Sequence, residues 1–107
     1  MITPPHRTAL LTGITGFLGP YVAAALRADG WSVRAALRRP IGDLPACDGS
    51  VLVGDLGGAT DWTDALVGID AVVHLAGRAH RPPAVQLAEQ DLYFETNTAG
   101  TIHLAQA

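Results

Sequence analysis

Three glycines at intervals of three residues are the feature of this sequence that most directly suggests chemistry. Gly13, Gly16 and Gly19 form a G-x-x-G-x-x-G loop between a short apolar run and a helical pattern. In such a loop the first glycine permits a tight turn, the second lets backbone N–H groups approach a pyrophosphate, and the third lets the helix pack closely on a sheet. The free N–H groups at the helix N-terminus would face the same phosphates. No Gly-Lys-Ser/Thr follows, so this is not a Walker A loop, and the alternative is a glycine-rich turn without a ligand.

The elements that would position this loop alternate between strands and helices. The apolar run before the loop predicts a strand buried on both faces, and the apolar spacing of Leu18, Val22 and Leu26 predicts a helix that Gly30 ends. Thr60 is expected to N-cap a second helix. This alternation predicts an α/β fold with a parallel sheet and right-handed crossovers. The predicted strands are 7–12, 31–37, 51–53 and 71–75, the predicted helices are 17–29, 60–67 and 84–107, and residues 38–50 form an irregular connection.

Composition excludes several classes of protein. Of the 107 residues 49% are hydrophobic, too many for a disordered chain, yet no apolar run approaches the roughly 18–20 residues of a membrane span. The net charge of −3 does not favour a nucleic-acid partner. The start of the chain lacks the apolar core of a signal peptide, so we expect a cytoplasmic location. The single Cys47 excludes an internal disulfide, and the histidines show no metal-ligand spacing, so we expect no metal site.

Four motifs, in order along the chain, resemble those of the extended short-chain dehydrogenase/reductase family, the NAD-dependent epimerase/dehydratase group. Residues 12–19 (TGITGFLG) resemble its TGxxGFLG fingerprint, and residues 97–104 resemble its N-x-x-G-T-x-x-L helix. The resemblance covers essentially the whole chain. It implies a partial Rossmann-type sheet of about four strands in the order 3-2-1-4 with flanking helices, a bound dinucleotide, and a homodimeric parent protein. Within the fingerprint it implies cofactor contacts by Thr15, Phe17 and Leu18 besides the three glycines.

Two further motifs imply cofactor contacts at the ends of later strands. Residues 54–56 (GDL) resemble the family motif whose aspartate contacts the adenine, which implies that role for Asp55 and a cofactor contact for Leu56. Residues 73–77 (VHLAG) resemble the motif that ends the fourth strand, which implies that Leu75, Ala76 and Gly77 border the cofactor. His74 lies within this apolar strand, and we expect it to be a structural histidine.

The end of the second strand bears on which nicotinamide dinucleotide is bound. An Asp or Glu there accepts hydrogen bonds from the ribose 2′-OH of NAD, but here the position is Leu37, followed by Arg38 and Arg39. Two guanidiniums could hold the 2′-phosphate of NADP. We therefore expect NADP, with NAD as the alternative, and regard Arg38 as the better candidate because it comes first after the strand. The competing interpretation is that both arginines belong to a solvated loop.

The resemblance also implies that the catalytic groups lie elsewhere. Members of the family use a Tyr-x-x-x-Lys pair in which tyrosine is the general acid/base. This chain contains no lysine, and its two tyrosines, Tyr21 and Tyr93, lie in predicted helices. We therefore expect no catalytic residue here and interpret residues 1–107 as a nucleotide-binding Rossmann half-domain truncated before the catalytic segment and the substrate lobe.

Three functions remain open from the sequence. The chain could be the NAD(P)-binding part of an epimerase/dehydratase-type oxidoreductase acting on a nucleotide sugar or a related carbinol or carbonyl substrate. It could instead be a non-catalytic, redox-sensing dinucleotide-binding module, or a fragment without independent function. Whether the parent is an enzyme depends on the Tyr-x-x-x-Lys pair, which this sequence does not contain.

Overall fold

A four-stranded parallel sheet organises the chain, in a computed structural model that describes residues 6–76 and 100–107. The predicted order is confirmed: the strands run β3-β2-β1-β4, with β1 between β2 and β4. The predicted flanking helices are confirmed for two segments, α1 and α2. The strands are β1 (Thr8–Thr12), β2 (Ser32–Leu37), β3 (Gly49–Leu52) and β4 (Ala71–His74), and the helices are α1 (Gly19–Ala28) and α2 (Gly100–Gln106).

The central strand is buried on both faces, as the apolar run predicts. Leu10 and Leu11 are both fully buried, and because neighbouring side chains of a strand point to opposite faces they belong to different cores. Leu11 packs with Ala23 of α1, and Leu10 packs with Leu104 of α2. The two cores therefore hold one helix on each face of the sheet.

Helix α1 begins two residues later than the predicted start at residue 17. No side chain caps its N-terminus, and Pro20 lies in its first turn, where a missing N–H group costs nothing. The predicted end is confirmed, since Gly30 follows the C-cap with a φ of 88° and donates its N–H to the carbonyl of Arg27. Phe17 and Leu18 consequently lie before the helix and are exposed.

The predicted helix over residues 60–67 is wrong, because that segment forms a series of turns. The Thr60 hydroxyl, expected to cap the helix, instead accepts the N–H of Gly57 and donates to the carbonyl of Asp55. The Asp61 carboxylate accepts the N–H of Thr63. Its hydrogen bonds with Thr63 hold the pKa of the Asp61 carboxyl below its usual value. At the other end, Arg34 of β2 donates to two carbonyls of the segment, those of residues 65 and 67. Side chains therefore form hydrogen bonds with backbone groups of this region in place of a regular helical pattern.

The boundaries of the strands shift by one or two residues from those predicted. The largest shift is in β3, which begins at Gly49 rather than residue 51 because Gly49 pairs with Arg34 of β2. Of the predicted helix over residues 84–107, only Gly100–Gln106 lies in the described part of the chain. No helix within the described ranges is long and apolar enough to cross a membrane.

Two aspartates at the amino ends of the strands form the same pattern of hydrogen bonds. Asp70, just before β4, accepts the N–H of Thr8 on its carboxylate at 2.8 Å and donates its own N–H to the carbonyl of Thr8 at 2.9 Å. Asp48, just before β3, forms the same reciprocal pair with Val33 of β2, both bonds being 2.8 Å. Asp48 also pairs with Arg27 of α1 at 3.4 Å. Each aspartate therefore extends the strand pairing by one residue with a charged acceptor.

Replacing Asp48 with Ala should lower the free energy of unfolding by about 1–2 kcal/mol, because a hydrogen bond to a charged acceptor and an ion pair are both lost. Asp43→Ala, which removes an exposed acid from the β2–β3 connection, should change it by less than about 0.5 kcal/mol. Chemical denaturation of the two variants beside the native chain measures the difference. Equal stabilities for the two variants would show that the side-chain contacts of Asp48 contribute nothing.

Candidate functional site

The carboxyl ends of all four strands open onto one cavity of about 660 Å³. This volume lies in the range of cavities that hold small-molecule ligands and cofactors. The position is the one expected of open parallel sheets, in which ligands bind beyond the carboxyl ends of the strands. The cavity is lined by Thr12, Gly13, Ile14, Thr15, Gly16, Ala36, Leu37, Arg38, Arg39, Pro40, Ile41, Val53, Gly54, Asp55, Leu56, Leu75 and Ala76.

The three glycines of the loop occupy three different environments. Gly13 has a φ of 79°, and a Cβ there would lie 2.7 Å from the backbone nitrogen of Ala76. At Gly19 a Cβ would collide with the carbonyl groups of Gly13 and Ile14, so the start of α1 packs directly on the loop. Among the described residues, a Cβ on Gly16 would meet only the carbonyl oxygen of Gly13, at 3.3 Å. Neighbouring backbone therefore excludes a side chain at Gly13 and Gly19, whereas Gly16 is exposed at the cavity.

The hydroxyl group of Thr12 joins the end of β1 to the end of β4. This buried side chain accepts the N–H groups of Leu75 and Ala76, at 3.0 and 3.1 Å. With both lone pairs used, the hydroxyl proton points to Nδ1 of His74, 2.6 Å away. The protonated nitrogen of His74 is therefore Nε2, which donates to the hydroxyl of Thr101 in α2 at 3.1 Å. Burial lowers the pKa of His74 below its ordinary value of 6.5, in agreement with a neutral ring in the structural role that the sequence predicts.

Two arginines and one carboxylate form the far rim of the cavity. Arg38 and Arg39 follow β2, and Asp55 follows β3. The Nε atom of Arg38 lies 3.2 Å from Oδ1 of Asp55, and both side chains remain largely accessible to solvent. The rim therefore carries two positive charges and one negative charge, so it favours an anion.

The structure brings most of the predicted cofactor contacts together at this cavity and leaves three of the described ones outside its lining. Phe17 is 85% exposed and lies against Tyr21, with 6.0 Å between the ring centroids, while Leu18 is also exposed. Gly19 is buried beneath the loop, and Gly77 lies outside the described residues. The predicted contacts that line the cavity are Gly13, Thr15, Gly16, Arg38, Arg39, Asp55, Leu56, Leu75 and Ala76.

Sequence reasoning missed two kinds of residue at this site. Pro40 and Ile41 line the cavity but lie in the irregular connection after β2, whose path the sequence does not predict, and Ile14 lines it from within the predicted glycine loop. Thr12 was assigned only to the fingerprint, although its hydroxyl holds the edge of the cavity. A signal was present, because a threonine at the end of an otherwise apolar buried strand requires hydrogen-bond partners.

The residues present fit a dinucleotide in charge and in shape. A pyrophosphate needs exposed backbone N–H groups without a side chain in front of them, and the loop at Gly16 offers an unobstructed approach. Among the described residues, the cavity lining contains no tyrosine, lysine or histidine. This arrangement can bind an anionic ligand but does not itself offer a proton-transfer group of those types.

Comparison with known proteins identifies relatives along nearly the whole chain. The model of the NAD dependent epimerase/dehydratase family matches residues 9–107. UDP-glucose 4-epimerase of Vibrio cholerae is 37% identical over 103 residues, which cover 94% of this chain and 30% of that protein. The chain thus spans less than a third of the length of this relative.

Solved structures agree with the sequence comparison. A short-chain dehydrogenase/reductase superfamily protein from Agrobacterium tumefaciens, solved with bound NAD, has a TM-score of 0.67 and 35% identity over 94% of this chain and 28% of that one. MoeE5 in complex with UDP-glucose and NAD has a TM-score of 0.74 and 31% identity over 92% of this chain and 31% of that one.

The hydrogen bonds of His74 predict a pH dependence of stability. Because the pKa of His74 is lowered in the folded state, the stabilisation is complete above about pH 6.5 and is lost as the pH falls through the folded-state pKa. The protonated ring would turn an N–H toward a Thr12 oxygen that has no free lone pair. In His74→Asn, the free energy of unfolding should therefore fall less steeply than in the native chain between about pH 7 and pH 5.

Denaturation curves at several pH values test this expectation. An unchanged slope in His74→Asn would contradict the assignment of a neutral, hydrogen-bonded His74.

Proposed function

The chain belongs to the NAD-dependent epimerase/dehydratase family, and from this premise we propose that its cavity binds a nicotinamide dinucleotide with the pyrophosphate on the loop around Gly16. The observation that carries the proposal is the contrast among the glycines. Protein atoms explain why Gly13 and Gly19 lack a side chain, but among the described residues no group except the carbonyl of Gly13 lies before Gly16. A ligand that approaches the backbone closely accounts for that space.

The residues around the loop have different proposed roles in binding the dinucleotide. The backbone N–H groups of residues 14–16 and the first turn of α1 would hold the pyrophosphate. Thr12 holds Leu75 and Ala76 at the edge of the cavity, where the small side chain of Ala76 keeps it open. Asp55 and Leu56, at the rim, would contact the adenine end. The dinucleotide supplies hydride transfer to or from a carbinol or carbonyl carbon.

We assign the parent protein to oxidoreductases or epimerases acting on a nucleotide sugar or a related carbinol substrate. UDP-glucose 4-epimerase and the UDP-glucose complex of MoeE5 support the nucleotide-sugar class. Within this chain the proposed role is cofactor binding, since the described cavity lining contains no tyrosine or lysine for proton transfer.

The two arginines at the rim favour NADP over NAD as the cofactor. The two solved relatives hold NAD, but β2 of this chain ends in Leu37 and offers no carboxylate to the ribose 2′-OH. Arg38 and Arg39 instead present guanidinium groups that suit a phosphate.

Gly16→Val should abolish dinucleotide binding while the protein still folds. The new side chain would stand where the phosphates approach, whereas Gly16 has no positive φ and, within residues 6–76 and 100–107, no close neighbour other than the carbonyl of Gly13. Calorimetry with NAD and NADP measures binding, and circular dichroism checks the fold. The matched control is Gly42→Val, at an exposed glycine with no atom near the added Cβ. Native affinity in folded Gly16→Val would remove the pyrophosphate from this loop.

Arg38→Ala should weaken NADP binding by about ten- to a hundredfold, because a charged hydrogen bond to the 2′-phosphate contributes about 1.5–3 kcal/mol. Binding of NAD, which lacks that phosphate, should change by less than about threefold. Arg7→Ala removes the same charge from the opposite edge of the sheet, where Arg7 stacks over Trp31, and should affect neither cofactor. Equal losses of NAD and NADP in Arg38→Ala would show that Arg38 does not contact the phosphate.

A further inference from the structure

Arg38 and Asp55 are brought together by the pairing of two neighbouring strands. Leu37 at the end of β2 pairs with Leu52 at the end of β3, and the N–H of Val53 donates to the carbonyl of Leu37 at 2.9 Å. The residues that follow these strands therefore emerge side by side. Their ion pair, with Nε of Arg38 at 3.2 Å from Oδ1 of Asp55, is a consequence of the strand register.

The backbone that carries Asp55 is held in place beside Arg38. The carbonyl of Asp55 accepts a hydrogen bond from the hydroxyl of Thr60, a buried side chain that also accepts the N–H of Gly57. Gly54, directly before Asp55, has a φ of 73°, which side-chain-bearing residues rarely adopt. The side chains of Arg38 and Asp55, 52% and 81% exposed, meet at the solvent-facing rim of the cavity. The fixed backbone of Asp55 thus keeps its carboxylate within reach of the guanidinium of Arg38.

We propose that Asp55 is a specificity-determining residue that competes with the 2′-phosphate of NADP for Arg38. The inference rests on the proposed dinucleotide site. At the rim, β2 lacks the carboxylate that would disfavour a 2′-phosphate, but β3 brings one to the same place. To pair with Arg38, the phosphate must displace this carboxylate or share the guanidinium with a like charge.

The charges on the rim indicate the direction of the effect. While Arg38 is paired with Asp55, Arg39 is the remaining positive charge in the described lining of the cavity. A phosphate bound to Arg38 is also repelled by Asp55 at short range, and NAD has no charge at that position. Asp55 therefore reduces the advantage that the two arginines give to NADP and makes the chain more tolerant of NAD.

Asp55→Asn tests this competition, because it removes the charge, preserves the shape, and leaves the backbone carbonyl that Thr60 holds. The ratio of NADP affinity to NAD affinity should rise by about fivefold or more, since an exposed ion pair contributes a few-fold and the loss of repulsion adds to it. The ratio is the measured quantity, because a contact of Asp55 with the adenine would affect both dinucleotides equally. Binding is measured by calorimetry on the 107-residue chain.

Three further variants complete the experiment. Asp64→Asn, an exposed acid in the turns before β4, changes the net charge equally and should leave the ratio unchanged. Asp55→Ser is a second neutral variant at the same site and should act as Asp55→Asn does. In the Arg38→Ala background, Asp55→Asn should change the ratio by no more than about twofold, because the guanidinium that pairs with Asp55 and would hold the phosphate beside it is absent.

The outcomes separate this inference from the proposed function. If the native chain binds both dinucleotides but the ratio stays constant or falls in Asp55→Asn and Asp55→Ser, the competition is overturned while the dinucleotide site stands. An equal rise with and without Arg38 would also overturn it, since Asp55 would then act directly on the phosphate. If the native chain binds neither dinucleotide, the proposed function fails and this inference fails with it.

Discussion

The close approach of β1 and β4 at their carboxyl ends is the constraint on which the rest of the structure depends. The backbone at Gly13 lies so near that of Ala76 that no Cβ fits between them. One side chain, the hydroxyl of Thr12, supplies the hydrogen bonds that hold the two ends together. The turn that follows leads at once into α1, whose first residue packs on the carbonyls of the loop. The orientation of α1 and the floor of the cavity are therefore set by a few backbone contacts that only small residues allow.

The amino ends and the carboxyl ends of the strands have different roles. At the amino ends, Asp48 and Asp70 form reciprocal hydrogen bonds with strand residues and contribute to stability. At the carboxyl ends of the strands, Gly16 and the rim of charged side chains face the cavity. Because these two regions lie at opposite ends of the strands, a substitution in one region is expected to have little effect on the other region.

The sequence predicts the sheet well because its signals are local or belong to recognisable motifs. Apolar runs bounded by glycine identify β1 and β4, and Gly30 marks the end of α1. It fails where side chains compete for backbone groups. Thr60 is a good capping residue by type, yet its hydroxyl bonds to Asp55 and Gly57, a choice that depends on the path of the preceding turn.

The candidate site was predictable to a similar degree. The glycine spacing located the loop, and the order of the motifs located the strand ends that meet around it. The ion pair between Arg38 and Asp55 could not be predicted, because it depends on the register of β2 with β3, which no local pattern specifies. The two residues were interpreted separately, one for the phosphate and one for the adenine, although they touch each other.

The central position of β1 also has a consequence for the order in which the fold can assemble. Its pairing with β2 joins residues 24 positions apart, as in Thr8 with Ser32, whereas its pairing with β4 joins residues 62 apart, as in Ala9 with Ala71. Closing the longer loop costs more chain entropy, so β1, α1 and β2 can form a β-α-β nucleus before β4 docks. Hydrogen exchange in the native state would then be slowest at the amides of β1, which is shielded on both sides, and faster at β4. The strand that completes the cavity is thus expected to open locally at a lower cost than the central strand.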